Sequence, residues 1–232
     1  LDSVHRLAPV RPQFVSVTHG AGGSPRERTH SIVKRMAEET DLSPAGHITC
    51  VAATKAEIDQ VLKDYWDAGV KRIVALRGDP TAGIGAKYEP HPGGYAYASD
   101  LITGARRIAD FDVSVGCYPE VHPNAGSLDN EIENLKRKID AGATRAITQF
   151  FFYPDVYFRF LDAAHDAGIT APIVPGVMLQ SNFKGLQRMA KLCGATIPSR
   201  IAEFYDGLDN DAETRDLVTA HIAADLCNRL AE

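Results

Sequence analysis

The chain has 232 residues, of which 44% are hydrophobic and 24% charged, with a formal net charge of −5. This composition is typical of a soluble globular protein, and the negative charge gives no electrostatic reason to bind nucleic acid or an anionic membrane. No apolar run reaches the roughly 18 residues that span a bilayer, and the first residues lack the features of a signal peptide. The cysteines lie far apart without a CxxC spacing, which favours reduced thiols in a cytoplasmic protein. We therefore expect a small-molecule site in a single domain, residues 1–232.

Short runs rich in β-branched residues predict six strands along the chain. They are Phe14–Thr18, His47–Ala52, Arg72–Leu76, Asp112–Cys117, Arg145–Phe151 and Pro172–Val177. Between them, apolar residues recur at helical spacing, most clearly from Ile58 to Trp66 and in the stretches that begin near Leu101, Leu128 and Phe183. Asp-Ala-Gly sequences at 67–69, 140–142 and 166–168 predict helices that end at a glycine cap. Alternating strands and helices of this kind indicate a parallel sheet covered by helices.

Periodicity alone leaves an open sheet and a closed barrel as alternatives. Polar residues follow almost every predicted strand, and this spread favours a (βα)8 TIM-type barrel with its site over the carboxyl ends of the strands. Such a barrel needs eight strands. Six are predicted, and the chain begins and ends in helical segments, Leu1–Leu7 and Ala212–Leu230. We therefore expect the first and last strands to be missing from this chain.

The tripeptide Arg77-Gly78-Asp79 directly follows the third predicted strand, so its charges are expected at the mouth of the sheet. The glycine would let the backbone approach a ligand, and Asp79 could stabilise a developing cation. The alternative is an ordinary turn with a surface ion pair. The position after a strand favours the functional interpretation.

Histidine and acidic residues near strand ends raise the question of a metal site, which would use His47, Asp79, Glu120 and His122. Their spacing is not diagnostic. His47 opens its predicted strand, which would place it at the opposite end of the barrel from Asp79. We therefore expect no metal here, although a metal-dependent barrel hydrolase stays an alternative.

Polar residues that could bind a ligand also occur in the predicted helix that begins near Leu128 and in the predicted strand Arg145–Phe151. Glu131, Asn134 and Lys138 form a stripe beside the apolar face of the predicted helix, with Arg137 further round, and a solvated face is the favoured interpretation from periodicity alone. Gln149 stands within an apolar strand, where a buried amide requires hydrogen-bond partners. A pterin could supply them, and so could a neighbouring strand.

Ordered motifs along nearly the whole chain resemble bacterial methylenetetrahydrofolate reductases. The motifs are Phe14 to Thr18 followed by Gly20-Ala21, Arg28 to Ser31, His47 to Cys50, Ala75 to Asp79, Tyr97 to Leu101, Tyr118 to Pro123, Asn134 to Lys138, Ala146 to Phe152, Pro175-Gly176 and Ser181 to Phe183. The resemblance implies a (βα)8 barrel of one-carbon metabolism and methionine biosynthesis, in the form of a cytoplasmic homo-oligomer. It would bind FAD, take a hydride from NADH or NADPH and reduce 5,10-methylenetetrahydrofolate to 5-methyltetrahydrofolate with ping-pong kinetics.

The resemblance also assigns residues to these ligands. The expected contacts to FAD are Thr18, His47, Arg77, Gly78, Asp79, Tyr97, Ala98, Tyr118, His122, Glu131, Asn134, Arg137 and Lys138. Asp79 would act as the catalytic residue that stabilises the cationic iminium of the opened folate, and Gln149 would bind the pterin. These assignments replace the solvated helix face and the remote His47 expected from the residues alone.

The sequence departs from the family pattern at three places. Family members carry a glutamate on the first strand as the proposed general acid, and this sequence begins after that strand, so a flavin-binding fragment without folate turnover is an alternative. Glu131 stands where the family usually has aspartate. Met189 stands where relatives can have an aromatic that stacks on the substrate, and the loop Pro80–Tyr95 is long, so the preference for NADH or NADPH stays open.

Overall fold

The computed structural model describes residues 2–18, 26–80, 87–123 and 125–232. The helices are α1 Asp2–Leu7, α2 Arg26–Glu39, α3 Lys55–Asp67, α4 Ala98–Ile108, α5 Leu128–Asp140, α6 Pro154–Asp166, α7 Phe183–Cys193, α8 Ser199–Phe204 and α9 Ala212–Ala231, with a 3-10 turn at Ala8–Val10. The strands are β1 Val15–Val17, β2 Pro44–Thr49, β3 Arg72–Leu76, β4 Asp112–Cys117, β5 Arg145–Phe150 and β6 Ile173–Gly176. The Gly20-Ala21 motif and part of the Pro80–Tyr95 loop lie outside the described residues.

The described strands form a six-stranded parallel sheet in the order β1-β2-β3-β4-β5-β6. A helix follows each strand, so the chain repeats the strand-and-helix unit of a β/α barrel. The predicted fold class is therefore confirmed as a partial barrel of the TIM type. The predicted glycine caps are confirmed as well, because Gly69, Gly142 and Gly168 all have positive φ directly after a helix. Among the described helices, none is long and apolar enough to cross a membrane.

The chain forms two compact units, which are described separately. The first unit consists of Leu1–Gly116 and Arg137–Arg145, and the second of Cys117–Lys136 and Ala146–Glu232. Strands β1 to β3 and helices α2 to α4 belong wholly to the first unit. Strand β6 and helices α6 to α9 belong wholly to the second.

Helix α3 shows how the sequence builds the first unit. Its amino end is closed by a capping box, in which the Thr54 hydroxyl accepts a hydrogen bond from the Glu57 N–H and the Glu57 carboxylate accepts one from the Thr54 N–H. Ile58, Leu62 and Tyr65 are buried along one face. Each such side chain stabilises the fold by about 1.5 to 3 kcal/mol of burial, which fixes the helix against the sheet.

Strand β2 begins three residues earlier than the sequence analysis predicted, and it ends at Thr49 instead of Ala52. Pro44, which opens the strand, pairs with Val15 of β1, a position where a missing N–H is tolerated. Gly46 lies directly against the buried ring of Tyr65, so a side chain at this position would collide with the ring. Ala52 has a φ of 54°, which is incompatible with a strand. The observed β5 ends one residue earlier than predicted, and the observed β1 and β6 are each shorter than predicted by one residue at both ends.

The second unit has an apolar cluster that joins β5 to the carboxyl-terminal helices. Its buried members are Phe150, Phe152, Leu186, Ala190, Ile201 and Tyr205. The ring of Phe183 stacks on Tyr205 with centroids 4.9 Å apart, and the Tyr205 hydroxyl shares a 2.8 Å hydrogen bond with Thr219 of α9. This cluster fixes α7, α8 and α9 against the end of β5.

Candidate functional site

The carboxyl ends of β2 and β3 stay hydrogen-bonded beyond the last residues of the strands. The Cys50 N–H donates to the carbonyl oxygens of Leu76 and Arg77, at 3.2 and 3.1 Å, and the Val51 N–H donates to that of Arg77 at 3.2 Å. These bonds fix the backbone of Arg77 where β3 ends. The residues that follow are therefore presented at the carboxyl edge of the first unit, as the sequence analysis predicted for Arg77-Gly78-Asp79.

Gly78 follows with a φ of 84°, in the left-handed region. A Cβ atom at this position would lie 2.7 Å from Cγ1 of Val51 and 3.1 Å from Cβ of Thr49. Both neighbours are β-branched side chains with little freedom to move. Backbone conformation and space thus both require glycine here, and the next residue, Asp79, is exposed to solvent.

The Arg77 side chain is half-buried and forms no salt bridge within the described part of the chain. Its Nε donates a 3.3 Å hydrogen bond to the Gly78 carbonyl oxygen, and its guanidinium carbon lies 4.7 Å from the ring centroid of Tyr88. Its two terminal amino groups have no acceptor among the described residues, and such an arginine is suited to an anionic ligand because it presents a fork of donors.

Tyr88 connects Arg77 to the start of α4. Its hydroxyl donates a 2.8 Å hydrogen bond to the carbonyl oxygen of Ala96. Burial raises the pKa of Tyr88, with Arg77 opposing part of the effect, so the phenol stays protonated as a donor. The Tyr97 N–H donates to the Asp100 carboxylate at 2.9 Å, which begins the helix at Ala98. Tyr97 itself is 56% exposed and lies at the same edge as predicted.

His47 lies in the second half of β2, opposite Val74, and not at the start of a strand. The expectation that it would lie far from Asp79 was therefore wrong, because β2 begins at Pro44. By strand alternation, His47 shares a face with Thr49. The Thr49 hydroxyl is buried and has no hydrogen-bond partner among the described residues. A buried hydroxyl of this kind calls for a partner, and a bound ligand could provide it.

Cys50 lies beside these groups as a buried thiol whose Sγ donates to the Leu76 carbonyl oxygen at 3.5 Å. Burial and the negative charge of Asp100 raise the pKa of Cys50 to about 12, while Arg77 lowers it. The thiol is therefore protonated at neutral pH. It packs at the edge and does not act as a nucleophile there.

Three more predicted cofactor residues belong to the first unit. Thr18 is exposed, and its carbonyl oxygen accepts a 3.1 Å hydrogen bond from the buried Thr29 of α2. Lys138 donates to the Gly116 carbonyl oxygen near the end of β4 at 2.6 Å, and Arg137 beside it is exposed. Lys138 is thus aimed at the carboxyl end of β4, where a ligand of the barrel is expected.

In the second unit, Tyr118 and His122 come together in the turn after β4. Their rings contact edge to face with centroids 4.5 Å apart, and the Tyr118 N–H donates to the Glu131 carboxylate at 3.2 Å. Glu131 is only 1% exposed. The solvated face predicted from periodicity is therefore wrong for Glu131, because the carboxylate turns inward to hold the backbone after β4. Asn134 is half-buried on the same helix.

Two residues of the second unit were considered in the sequence analysis for different roles, Glu120 as a metal ligand and Met189 as a substrate contact. Both carboxylate oxygens of Glu120 accept the Thr196 N–H at 3.0 Å, so this residue, which was considered as a metal ligand, holds the loop after α7. Met189 lies on α7 and is 39% exposed, while Leu186 and Ala190 of the same helix are buried. Within the described residues, no group of three His, Cys, Asp or Glu side chains is placed to hold a metal ion.

Gln149 is half-buried in β5, and its amide oxygen accepts a 3.0 Å hydrogen bond from the Phe150 N–H. A hydrogen bond from the Gln149 side chain to a neighbouring strand, one of the two alternatives left open by the sequence, is absent among the described residues. The neighbouring Thr148 makes that connection instead, because its hydroxyl accepts from the Gly176 N–H of β6 at 2.8 Å. Among the described residues the amide nitrogen of Gln149 has no acceptor, so it is available to donate to a ligand.

The sequence analysis overlooked Thr49 and Tyr88 at the edge around Arg77. Alternation along β2 could have found Thr49, since it follows His47 by two residues. No local pattern could have found Tyr88, because it lies eleven residues after Arg77 and outside the described helices and strands. The contact between its ring and the Arg77 guanidinium is a feature of the tertiary structure.

The fold defines a partial β/α barrel of the TIM type, with its candidate site at the carboxyl ends of the strands. The sequence matches the family model described as methylenetetrahydrofolate reductase over residues 1–232. It is 49% identical to 5,10-methylenetetrahydrofolate reductase of Escherichia coli (strain K12), covering 99% of this chain and 75% of that protein. It is 34% identical to methylenetetrahydrofolate reductase (NADH) 1 of Zea mays, covering 99% of this chain and 40% of that protein. The chain belongs to the methylenetetrahydrofolate reductase family.

Two solved structures are similar in fold. One is an uncharacterized protein from Clostridium thermocellum that binds two copies of 5-methyl-5,6,7,8-tetrahydrofolic acid, with a TM-score of 0.55 and 15% identity over 98% of this chain and 87% of that one. The other is a putative phosphonomutase from Burkholderia cenocepacia J2315, with a TM-score of 0.55 and 16% identity over 82% of this chain and 87% of that one. At this identity the likeness supports the β/α architecture alone.

Proposed function

We propose that this chain reduces 5,10-methylenetetrahydrofolate to 5-methyltetrahydrofolate with FAD as cofactor and NADH or NADPH as the source of the hydride. Membership of the reductase family supports the reaction. The observation that carries the cofactor is the half-buried guanidinium of Arg77, which has no salt bridge within the described residues, beside the left-handed Gly78. An arginine fork beside a glycine that lets the backbone approach closely is a suitable site for a phosphate-bearing cofactor.

The residues of the first unit fit this cofactor. Gly78 allows close approach of the backbone, and the buried Thr49 hydroxyl is without a partner among the described residues. FAD, when bound, supplies the hydride-accepting and hydride-donating chemistry, so the tasks of the protein are binding, orientation and electrostatics. Its proposed contacts are Thr18, His47, Arg77, Gly78, Asp79, Tyr97, Ala98, Arg137 and Lys138 in the first unit, and Tyr118, His122, Glu131 and Asn134 in the second.

Two residues are proposed to act on the folate. The carboxylate of Asp79 would stabilise the positive charge of the iminium that forms when the methylene bridge opens, since a nearby anion favours a developing cation. The amide of Gln149 would bind the pterin, because its nitrogen is left as a donor within the described residues. Met189 is proposed to pack against the substrate through its exposed thioether. Nicotinamide and folate would use the site in turn, which gives ping-pong kinetics.

The test is a visible spectrum of the purified chain with FAD, followed by anaerobic addition of NADH or NADPH and then of methylenetetrahydrofolate. We expect a flavin absorption band that bleaches with the pyridine nucleotide and returns with the folate. Absence of flavin binding would overturn the proposed function. Bleaching without return would restrict the chain to oxidation of the pyridine nucleotide and would overturn the folate assignment.

Asp79→Asn sharpens this test because it removes the carboxylate charge with little change in shape. We expect reoxidation of the flavin by folate to slow by roughly 10²- to 10³-fold, while flavin reduction by the pyridine nucleotide persists. Asp216→Asn on α9, where the side chain is exposed, is the matched control and should leave both half-reactions unchanged. Equal rates of reoxidation in Asp79→Asn and the unmodified chain would exclude the proposed role of Asp79.

The cytoplasmic location and the homo-oligomeric state stay predictions of the family resemblance. The oligomeric state can be measured by light scattering on the purified chain.

A further inference from the structure

Within the described residues, an aromatic ring and not a carboxylate holds the side chain of Arg77. Arginine side chains at binding sites are commonly held by carboxylates, but Arg77 makes no such pair within the described residues. Within the described residues, its Nε donates a 3.3 Å hydrogen bond to the Gly78 carbonyl oxygen, and its guanidinium carbon lies 4.7 Å from the ring centroid of Tyr88. The Nε bond leaves the two terminal amino groups to donate elsewhere. The ring of Tyr88 is thus the surface on which the guanidinium lies.

Tyr88 is itself fixed to the element that follows the loop. Its hydroxyl donates to the Ala96 carbonyl oxygen at 2.8 Å, and its ring lies 6.0 Å from the ring of Tyr97 at an angle of 45°. Tyr97 is the residue directly before α4, and its own N–H is held by Asp100. One side chain therefore connects the end of β3 to the start of α4, the two places that carry four proposed cofactor contacts, Arg77, Gly78, Tyr97 and Ala98.

A free arginine side chain loses considerable rotamer freedom when a ligand immobilises it, and a side chain already held in place loses less. An aromatic face can hold a guanidinium without consuming its hydrogen-bond donors, whereas a carboxylate would occupy them and cancel the charge. The arrangement at Arg77 thus keeps both the charge and the donors for the ligand.

We propose that Tyr88 is a positioning residue that holds the Arg77 guanidinium in the orientation that binds the anionic part of the flavin cofactor. This inference rests on the proposed function. Tyr88 acts through Arg77 and through the start of α4, and needs no contact of its own with the cofactor. Its ring carries most of the effect, and its hydroxyl fixes the ring.

The test is a double-mutant cycle read out as the dissociation constant of FAD from the full chain. Tyr88→Leu removes the aromatic face, and we expect FAD to bind about 10-fold more weakly. Tyr88→Phe keeps the face and removes the hydroxyl, and we expect a loss of about 2-fold to 3-fold. In an Arg77→Met background, Tyr88→Leu should cost less than about 2-fold, because the partner through which it acts is gone.

Trp66→Leu is the matched control for a loss of stability. Trp66 is likewise the aromatic partner of a cation, since the ammonium of Lys71, the residue before β3, lies 3.5 Å from its ring centroid, and it also contacts the buried Phe111. Its replacement should lower the free energy of unfolding at least as much as Tyr88→Leu. It should leave the dissociation constant of FAD within about 2-fold of the unmodified chain.

The measured dissociation constants of FAD can contradict the inference in several ways. A Tyr88→Leu variant that binds FAD as tightly as the unmodified chain overturns the inference, and so does an equal loss with and without Arg77. If Tyr88→Leu does not fold, Tyr88→Phe provides the test. A loss of FAD affinity in Tyr88→Phe as large as that in Arg77→Met would overturn the inference, because Tyr88→Phe still has the aromatic face. If the unmodified chain does not bind FAD, the proposed function fails first and the inference fails with it.

Discussion

The two ends of the sheet in the first unit use their charged residues in opposite ways. At the amino ends of the strands, Arg72 and Arg145 share the carboxylate of Asp112, at 3.4 and 2.9 Å, and Thr144 donates to the same carboxylate. Both guanidinium groups also lie over the ring of Phe14. At the carboxyl ends, Arg77 lies on an aromatic ring and forms no salt bridge within the described residues.

This difference separates charged residues that stabilise the fold from charged residues that are available to bind a ligand. A charge that is already neutralised by protein partners contributes to the fold and has little left to offer a ligand. A half-buried charge that keeps its donors costs stability, and such sites persist where a ligand repays the cost. We therefore expect changes at the amino ends to lower stability alone, and changes at the carboxyl ends to lower ligand affinity as well.

The largest expected effect is that of Gly78→Ala at the carboxyl ends. Left-handed backbone and the contact with Val51 and Thr49 should together lower the free energy of unfolding by about 3 kcal/mol. Gly69→Ala is the matched control, because Gly69 has a φ of 83° with no atom within 4 Å of the added Cβ. It should cost about 1 kcal/mol. Urea unfolding of both variants measures the difference, and equal losses would show that the space at Gly78 is not restricted.

The next effect is that of Asp112→Asn at the amino ends, which leaves two arginines without their shared carboxylate. We expect the free energy of unfolding to fall by about 2 kcal/mol, since the three side chains are partly buried. Asp110→Asn removes a carboxylate that is 94% exposed and paired with Arg106, and should cost less than about 0.5 kcal/mol. FAD affinity should be unchanged in both variants, and a loss of affinity in Asp112→Asn would contradict the division between the two ends.

We expect the stabilisation of the fold by the Asp112 carboxylate to decrease at low pH. Burial raises the pKa of Asp112, but the hydrogen bonds from Thr144 and Arg145 and the charges of Arg145 and Arg72 outweigh it, so the pKa lies below its ordinary value. The stabilisation is therefore present above about pH 4 and is lost as the pH falls through the lowered pKa. The gap in unfolding free energy between the unmodified chain and Asp112→Asn should shrink over that range, and a gap that grows on acidification would contradict the assignment.

The smallest effect is that of Lys71→Met, also at the amino ends. The Lys71 ammonium lies over the Trp66 ring and donates a 2.9 Å hydrogen bond to the Trp66 carbonyl oxygen at the end of α3. We expect a loss of about 0.5 to 1 kcal/mol in thermal or urea unfolding. Lys87→Met, which breaks a pair with Glu89 that is exposed on both sides, should have no measurable effect. A Lys71→Met variant as stable as the unmodified chain would show that this pair contributes nothing.

The sequence by itself determined the class of fold and several elements, because the period of apolar residues reports which face of an element is buried. Strands β3 and β4 have the predicted bounds, Arg72–Leu76 and Asp112–Cys117, since both carry buried β-branched residues. The position of Arg77-Gly78-Asp79 followed from the end of β3. The family likewise followed from ordered motifs, and the family model confirms it.

Only the tertiary structure decided features that depend on residues distant in sequence. The start of β2 at Pro44 depends on pairing with β1 and on the Tyr65 ring that fills the space at Gly46. Glu131 is buried because a backbone N–H of the turn after β4 needs an acceptor, which helical periodicity cannot reveal. The ring of Tyr88 lies against the guanidinium of Arg77, eleven residues before it in the sequence. Local patterns record the burial of a face, whereas hydrogen-bond partners and ring contacts between segments exist only once the chain has folded.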